Sequence, residues 1–296
     1  MLDFRMDTFL TVCETMNFTR AAEQLHLTQP AVSQHIHMLE EYYKLKLFTY
    51  QGKQLALTPA GLLLQNAART MRHDENYLRQ EMQAVAEKDR PLCFGATLTV
   101  AEFALPERLA GYIRLHPERD VRVTVSNTQD LLHGLDHGTL DFALVEGYVP
   151  TGDYACQLYS QEPYIAVCAP DYPLAAGPCR MEDLLGSRLI LRESGSGTRS
   201  ILERYLDARG LSAQAFARRV EVGNLGAIKS LAVRGCGITF LYERAVSQEL
   251  AAGTLRKIAL QDLKIVHDFN FIWRRGSIFQ KEYEAVFREL CGPGEA

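Results

Sequence analysis

The sequence predicts an α/β multidomain protein with three parts: an N-terminal winged helix-turn-helix, a long linker helix, and a C-terminal two-subdomain α/β domain with a cleft. Three observations carry this prediction. Residues 17–50 spell two short amphipathic helices separated by a tight break. Residues 59–87 hold an apolar seven-residue repeat. From residue 91 onward, short apolar strands alternate with helical stretches.

The first element is a helix over residues 3–16, where Phe4, Met6, Phe9, Leu10, Val12 and Cys13 recur at helical spacing. Thr19 is placed to cap the next helix, and Ala21, Ala22 and Leu25 form its apolar stripe. After the break at Leu27-Thr28-Gln29, Thr28 caps a further helix with Pro30 in its first turn, where a missing N–H costs nothing. Val32, Ile36 and Leu39 make the buried face of that helix. Gln29, Ser33, Gln34 and His37 make a polar outer face suited to the major groove of DNA.

Alternating residues on either side of Gly52 predict a two-stranded wing that ends at Leu57, with Lys53 as its one strong cation. Thr58 and Pro59 start a helix that runs to about Glu87. Leu64, Met71, Leu78 and Val85 stand seven apart along it, a seam that calls for a second copy. Residues Glu87 to Pro91 read as a charged hinge.

Beyond the hinge the expected strands are 92–96, 121–125, 142–145, 164–169, 189–191, 220–222, 237–241 and 269–273. The expected helices end near Leu115, His137, Ala208, Val233 and Leu290. This alternation implies a parallel sheet with ligands at the carboxyl ends of its strands. Division into residues 1–58, 59–90 and 91–296 follows. The last part splits into a subdomain of about 91–161 with 267–296 and another of about 162–266.

Composition sets limits on function. The chain has 296 residues and a formal net charge of −4. Within residues 1–66, Arg5, Arg20, Lys44, Lys46 and Lys53 are outnumbered by Asp3, Asp7, Glu14, Glu23, Glu40 and Glu41. Bulk electrostatics therefore do not announce nucleic-acid binding; helix geometry does, and helix N-termini with hydroxyls supply further phosphate contacts. No run of about eighteen apolar residues and no signal core occurs, so a cytoplasmic protein without a membrane span is expected. Seven scattered cysteines without a C-x-x-C pair read as reduced, buried thiols, with Cys93, Cys168 and Cys236 inside strands. His133 and His137 stand four apart, but no carboxylate or cysteine set accompanies them, and neither a metal nor another cofactor is expected. Nucleophile motifs and phosphate loops are absent, which argues against an enzyme.

The loop Arg192-Glu193-Ser194-Gly195-Ser196-Gly197-Thr198-Arg199 is the second informative stretch. Two glycines among hydroxyls before a helix allow backbone N–H groups to converge on a small anion. Its plainer role is a strand-to-helix turn in which Ser196 or Thr198 caps the helix. Other strand ends carry Thr97-Leu98-Thr99, Asn127 and Asn224. With Ser194, Gly195, Ser196, Gly197 and Thr198 these form the candidate effector set. Arg192 and Arg199 are either additional anion contacts or surface ion pairs.

Residues Phe9, Phe18, Ala21-Ala22, Leu25, Thr28 to Ser33, Ile36, Leu39-Glu40, Leu47-Phe48 and Leu57-Thr58-x-x-Gly61 together resemble the DNA-binding signature of LysR-type transcriptional regulators. The resemblance implies a periplasmic-binding-protein-like effector domain after the linker helix. It also implies a dimer or tetramer on an imperfect promoter palindrome, which leaves RNA polymerase within reach as a further partner. DNA contacts carry over to Thr28, Gln29, Pro30, Ser33 and Gln34, with His37 and Lys53 added from their positions. Two departures are that Lys44 stands where the family usually has Gly, and Tyr50 where it usually has Arg. The loop at 192–199 resembles that of members governing sulfur assimilation and carbon fixation, so the expected effector is a small anion. The alternative is a solute-binding protein or an enzyme on an α/β scaffold without DNA binding.

Overall fold

The computed structural model describes residues 3–87, 91–146, 149–150, 152–174, 177–261 and 263–291. It divides into two compact units. One comprises residues 1–90 with 136–139 and 274–280; the other comprises 91–135, 140–273 and 281–296.

The first unit begins with α1 (Phe4–Thr15), α2 (Phe18–Gln24) and α3 (Gln29–Tyr43), followed by the wing strands β1 (Phe48–Gln51) and β2 (Gln54–Leu57). Met6, Phe9, Leu10, Val12, Ala21, Ala22, Val32, Ile36 and Leu39 form one core, which Leu47 and Phe48 join from the wing. Asn17, not Thr19, caps α2: its side chain accepts from the Thr19 and Arg20 N–H groups at 2.9 and 3.1 Å. Asn17 is the residue that already has extended backbone geometry, whereas Thr19 lies inside the helix. Thr28 caps α3 as expected, accepting from the Ala31 N–H at 3.3 Å.

Met16, His26 and Lys44, each at a helix end of the helix-turn-helix, have positive φ of 46°, 54° and 56°. Lys44 therefore takes the left-handed turn that glycine would take without strain, and its side chain incurs the Cβ penalty. Lys44→Gly should raise the stability of this unit by about 0.5–1 kcal/mol, the relieved strain less the added freedom of the unfolded chain. Chemical denaturation of both proteins checks this; a lower midpoint for the glycine variant would contradict it.

The long helix α4 (Pro59–Glu87) has the expected length. Its apolar residues divide between two faces. Ala68 and Tyr77 are buried within the unit beside the polar His73, and Leu64 packs on the helix-turn-helix core. The exposed seam runs instead through Leu63, Met71, Leu78 and Met82. The Val85 side chain and residues 88–90 of the expected hinge lie outside the described residues.

Residues 136–139 and 274–280 belong to the first unit through a buried polar network on α4. Arg274 is 0% exposed and donates to an Asp136 carboxylate oxygen at 2.9 Å, to the Asn66 carbonyl and side chain, and to Thr70. Asp74 accepts from the Ser277 hydroxyl at 2.6 Å and from the Ile278 N–H at 3.0 Å. Arg72 donates to the Asp136 carbonyl and to Glu14 of α1.

The second unit contains β3 (Leu92–Thr97), α5 (Pro106–Leu115), β4 (Val121–Ser126), α6 (Thr128–Asp136) and β5 (Phe142–Val145), then β6 (Tyr154–Cys168), β7 (Arg188–Leu191) and α7 (Gly197–Asp207). It continues with β8 (Arg218–Glu221), α8 (Leu225–Val233), β9 (Ile238–Tyr242), α9 (Ser247–Ala251), β10 (Arg256–Lys257), β11 (Ile265–Arg274) and α10 (Gln280–Cys291). A single turn of π-helix, Val100–Ala104, follows β3.

The strand order is β4-β3-β5-β11-β6-β9-β7-β8. Pairing is parallel within β4-β3-β5 and β9-β7-β8, and antiparallel where β11 meets β5 and β6 meets β9. The sheet is thus mixed, with a parallel set in each half and the two long strands β6 and β11 between them. Stacked Phe94, Phe142 and Phe271 anchor one half, with ring centroids 4.8 and 4.4 Å apart. Val167, Ile190, Leu225, Ile228 and Leu241 form a core of the other.

Candidate nucleic-acid interface and effector cleft

The outer face of α3 borders a concavity of about 660 Å³, closed on its other sides by the start of α2 and by the wing. Gln29, Ser33 and His37 line it from α3, Asn17 and Thr19 from α2, and Lys46, Tyr50 and Lys53 from the wing. Gln29 donates through Nε2 to the Ser33 hydroxyl at 2.9 Å, which holds this pair in one arrangement on the first two turns. Thr28, Pro30 and Gln34 are exposed but do not line this concavity, and Thr28 uses its hydroxyl as the helix cap.

His37 lies 3.2 Å from Glu41, one turn on. His35 faces inward, with Nδ1 3.0 Å from the Thr8 hydroxyl and its ring edge against Phe4. Glu40 does not project toward the groove as a bare charge: Lys46 meets it at 2.5 Å and the Leu47 N–H donates to it at 3.0 Å. Glu40 therefore ties α3 to the wing. Thr19, Lys46 and Tyr50 are lining residues absent from the sequence-based set; the position of α2 beside the wing is what brings them in.

In the second unit the carboxyl ends of β3 and β5 face the start of α7. At their centre lies Glu146, 1% exposed, which the sequence reading missed. One of its carboxylate oxygens, Oε1, accepts from the Thr99 hydroxyl at 3.1 Å and from the Thr198 hydroxyl at 2.6 Å. Its main-chain carbonyl accepts from the Thr128 hydroxyl at 3.0 Å. Burial pushes the Glu146 carboxyl up from its ordinary range, against the pull of the two threonines and of Arg192.

Thr198 therefore holds Glu146 and does not cap α7. Ser196 occupies the capping position without making a side-chain cap bond. Gly195 has φ of 87°, a left-handed conformation that admits the loop beside Asn127 and Gln129. Among the described residues, Thr97 Oγ1, Ser196 Oγ, Glu146 Oε2 and Arg192 Nη1 are buried without a hydrogen-bond partner. Thr97 ends β3, Glu146 follows β5, Arg192 follows β7 and Ser196 precedes α7, so these unsatisfied groups stand at the strand ends where parallel sheets bind ligands.

Arg192 is 5% exposed, and its other nitrogens grip Glu193 at 2.7 Å each. Arg199 points the other way, to Glu203 and Glu221 at 2.7 Å, and fits the surface ion-pair role.

The remaining candidates are structural or peripheral. Asn127 caps α6 by accepting from the Asp130 N–H, and Asn224 caps α8 by accepting from the Ala227 N–H, both at 2.9 Å. Their side chains are thus engaged in holding helix starts. The Leu98 side chain packs against the apolar core around Val167 and Ile190. Ser194 and Gly195 are exposed at the rim.

All seven cysteines are free thiols, but only Cys13 and Cys168 are buried; Cys156 is exposed and Cys236 sits in the turn before β9. Desolvation pushes the Cys13 thiol up to about 12, which leaves it unreactive. His137 pairs with Glu14 at 3.2 Å. No three metal-ligating side chains come together among the described residues, and no described helix is long and apolar enough to cross a membrane.

Comparison with known proteins matches this geometry. The family model described as "Bacterial regulatory helix-turn-helix protein, lysR family" fits residues 5–62, and "LysR substrate binding domain" fits residues 86–291. A RuBisCO operon transcriptional regulator of Acidithiobacillus ferrooxidans is 30% identical over 264 residues, covering 88% of this chain and 82% of that protein. The HTH-type transcriptional regulator CfxR of Cupriavidus necator is 31% identical over 253 residues, covering 85% and 78%. The solved regulatory domain of Synechocystis PCC6803 CcmR in complex with 2-PG shares the fold at a TM-score of 0.59 and 22% identity, over 69% of this chain and 99% of that one. The two family models leave no room for a solute-binding protein or an enzyme without DNA binding. The chain belongs to the LysR family of bacterial helix-turn-helix transcriptional regulators, and its relatives include RuBisCO operon transcriptional regulators.

Proposed function

We propose that this regulator binds an imperfect promoter palindrome as a dimer or tetramer in the cytoplasm, and that a small anion in the cleft of the second unit sets its activity. Gln29, Ser33, Gln34 and His37 read base edges from α3. Thr28, Pro30 and Lys53 position the backbone, and RNA polymerase is the partner that such a site would serve. Oligomer formation is supported by the exposed seam Leu63, Met71, Leu78 and Met82 on α4, an apolar stripe that a lone helix leaves in water.

One observation carries the effector reading: Thr97, Ser196 and Arg192 present buried, unsatisfied donors at the strand ends where α/β sheets bind ligands. Backbone N–H groups of Gly197 and Thr198 in the first turn of α7 add to them. Thr99 and Thr198 act through Glu146, while Asn127 and Asn224 hold the helices that frame the cleft. Effector binding would then shift an existing equilibrium between subunit arrangements.

Calorimetric titration of the full chain with sulfate, oxalate and a sugar phosphate tests the anion. Saturable binding to at least one is expected, with affinity reduced at least roughly tenfold by Ser196→Ala combined with Thr97→Val, the loss of two charge-assisted hydrogen bonds. Binding of none of these anions would count against the reading.

A further inference from the structure

A carboxylate at the centre of an anion cradle is a contradiction unless it carries a proton. Glu146 is held there by three separate anchors. Thr99 and Thr198 reach it from two sides, and Thr128 fixes its main chain. Gly197 approaches so closely that a Cβ at that position would stand 2.5 Å from the Glu146 carbonyl oxygen. This is a built position, not a stray surface carboxylate.

The two oxygens of Glu146 are unequal. Oε1 takes both threonine hydroxyl hydrogens, the pattern of a carbonyl-type acceptor. Oε2 is buried and takes no hydrogen bond among the described residues. A proton on Oε2 turns it into a donor, and it then joins Thr97 Oγ1, Ser196 Oγ, Arg192 Nη1 and Tyr242 Oη, donors in the same condition.

We propose, resting on the anionic-effector reading above, that Glu146 serves as a protonated hydrogen-bond donor to the effector oxyanion, so that one anion and one proton enter the cleft together. In this state an oxyanion adds the Glu146 hydroxyl to the unsatisfied donors at these strand ends. With Glu146 ionised, the same anion meets a buried like charge.

The surroundings of Glu146 agree with a neutral acid. From the end of β7 it faces Arg192, whose charge is matched by its two bonds to Glu193; Glu193 itself acts on Glu146 as a like charge. From β6 it faces Tyr164, whose hydroxyl donates to the Thr198 carbonyl at 2.9 Å, and from β9 it faces Tyr242. Burial keeps both tyrosines far above their ordinary range, hence uncharged. The end of β3 and the start of α6 contribute only the hydroxyls of Thr97, Thr99 and Thr128. Burial raises the Glu146 carboxyl before any ligand arrives, and an oxyanion at Oε2 raises it further. Anion affinity is therefore full below the pKa of the free protein and falls as pH rises above it.

Isothermal titration of the full chain with sulfate and with oxalate, neither of which titrates between about pH 5.5 and 9, tests the proposal. Each titration is run in two buffers of different ionisation enthalpy. Above the pH at which Glu146 ionises in the free protein, the expected result is uptake of about one proton per anion and a Kd that rises about tenfold per pH unit; below it, neither is expected. Glu146→Gln, whose amide supplies a permanent donor, should bind at pH 8 at least about tenfold more tightly than the wild type, with a flat pH profile and no proton uptake. Anion binding without proton uptake or pH dependence would overturn the proposal and leave the anionic reading standing. Absence of binding to sulfate, oxalate and the sugar phosphate alike at every pH would overturn both. Should the glutamine variant not fold, the wild-type proton count decides alone.

Discussion

Gly61→Ala is expected to destabilise the DNA-binding unit by about 3 kcal/mol, at the upper end of overpacking effects. A Cβ at residue 61 would lie 2.1 Å from the Leu47 carbonyl oxygen and 2.9 Å from Leu57 Cδ2. The carbonyl cannot simply move away. It accepts from the Thr58 N–H at 3.0 Å, while the Thr58 hydroxyl accepts from the Gly61 N–H at 3.0 Å and donates to the Lys46 carbonyl at 2.6 Å. These bonds fasten the start of α4 to the wing, so relief of the clash breaks some of them, at about 0.5–1.5 kcal/mol each. Thermal unfolding followed by circular dichroism should show the first transition lowered by roughly 10 °C or more, since about 1 kcal/mol shifts a unit of this size by 4–8 °C. A variant melting within about 2 °C of the wild type would refute the packing argument.

Gly197→Ala is expected to weaken effector binding about 100-fold while leaving DNA binding by the unliganded protein intact, because displacement of a site by about 1 Å carries a penalty of that order. The added Cβ would stand 2.5 Å from the Glu146 carbonyl oxygen and 2.9 Å from its Cγ. That carbonyl is already held by Thr128, so the start of α7 must retreat. Its retreat stretches the 2.6 Å bond between Thr198 and Glu146 and draws Ser196 away from the other donors. Titration calorimetry on the variant reads the loss directly; affinity within about threefold of the wild type would show that the close approach is not needed for the site.

Much of the architecture was legible because it is written locally. The helix Leu225–Val233 lies where the sequence places it, since Asn224 starts it and Gly235 follows it. The caps of α3 and α4 and the periodicity of α3 were equally plain. Strand β6 begins at Tyr154, ten residues earlier than expected, because its first part alternates buried and exposed residues and carries Pro163, which obscures a continuous run. The mixed sheet was not readable, since strand direction depends on pairings between residues far apart in the chain. Division of the apolar residues of α4 into an inward and an exposed face depends likewise on which side meets α1 and residues 274–280.

Hydroxyls of the cleft were found, but Glu146 was not. A glutamate after Phe142-Ala143-Leu144-Val145 looks like an ordinary carboxylate leaving a strand. The signal that would have found it is position: it ends a wholly buried parallel strand, where such sheets place their ligands. Asn127 and Asn224 cap α6 and α8, as asparagine before a helix does whether or not a ligand is near.

The account depends most on α3 reading DNA through Gln29, Ser33 and Gln34 in a domain that lacks a cationic surplus. Fluorescence anisotropy with the duplex upstream of the protein's own gene, against a scrambled duplex and over a range of salt, tests it most directly. Ser33→Ala and Gln34→Ala should each weaken binding to the specific duplex about tenfold, one base contact being worth about 1–3 kcal/mol. Binding to the scrambled duplex, its salt dependence and the calorimetric affinity for anions should not change. Variants that bind the specific duplex as the wild type does, or lose affinity equally for both duplexes, would contradict the assignment of α3 as the sequence reader.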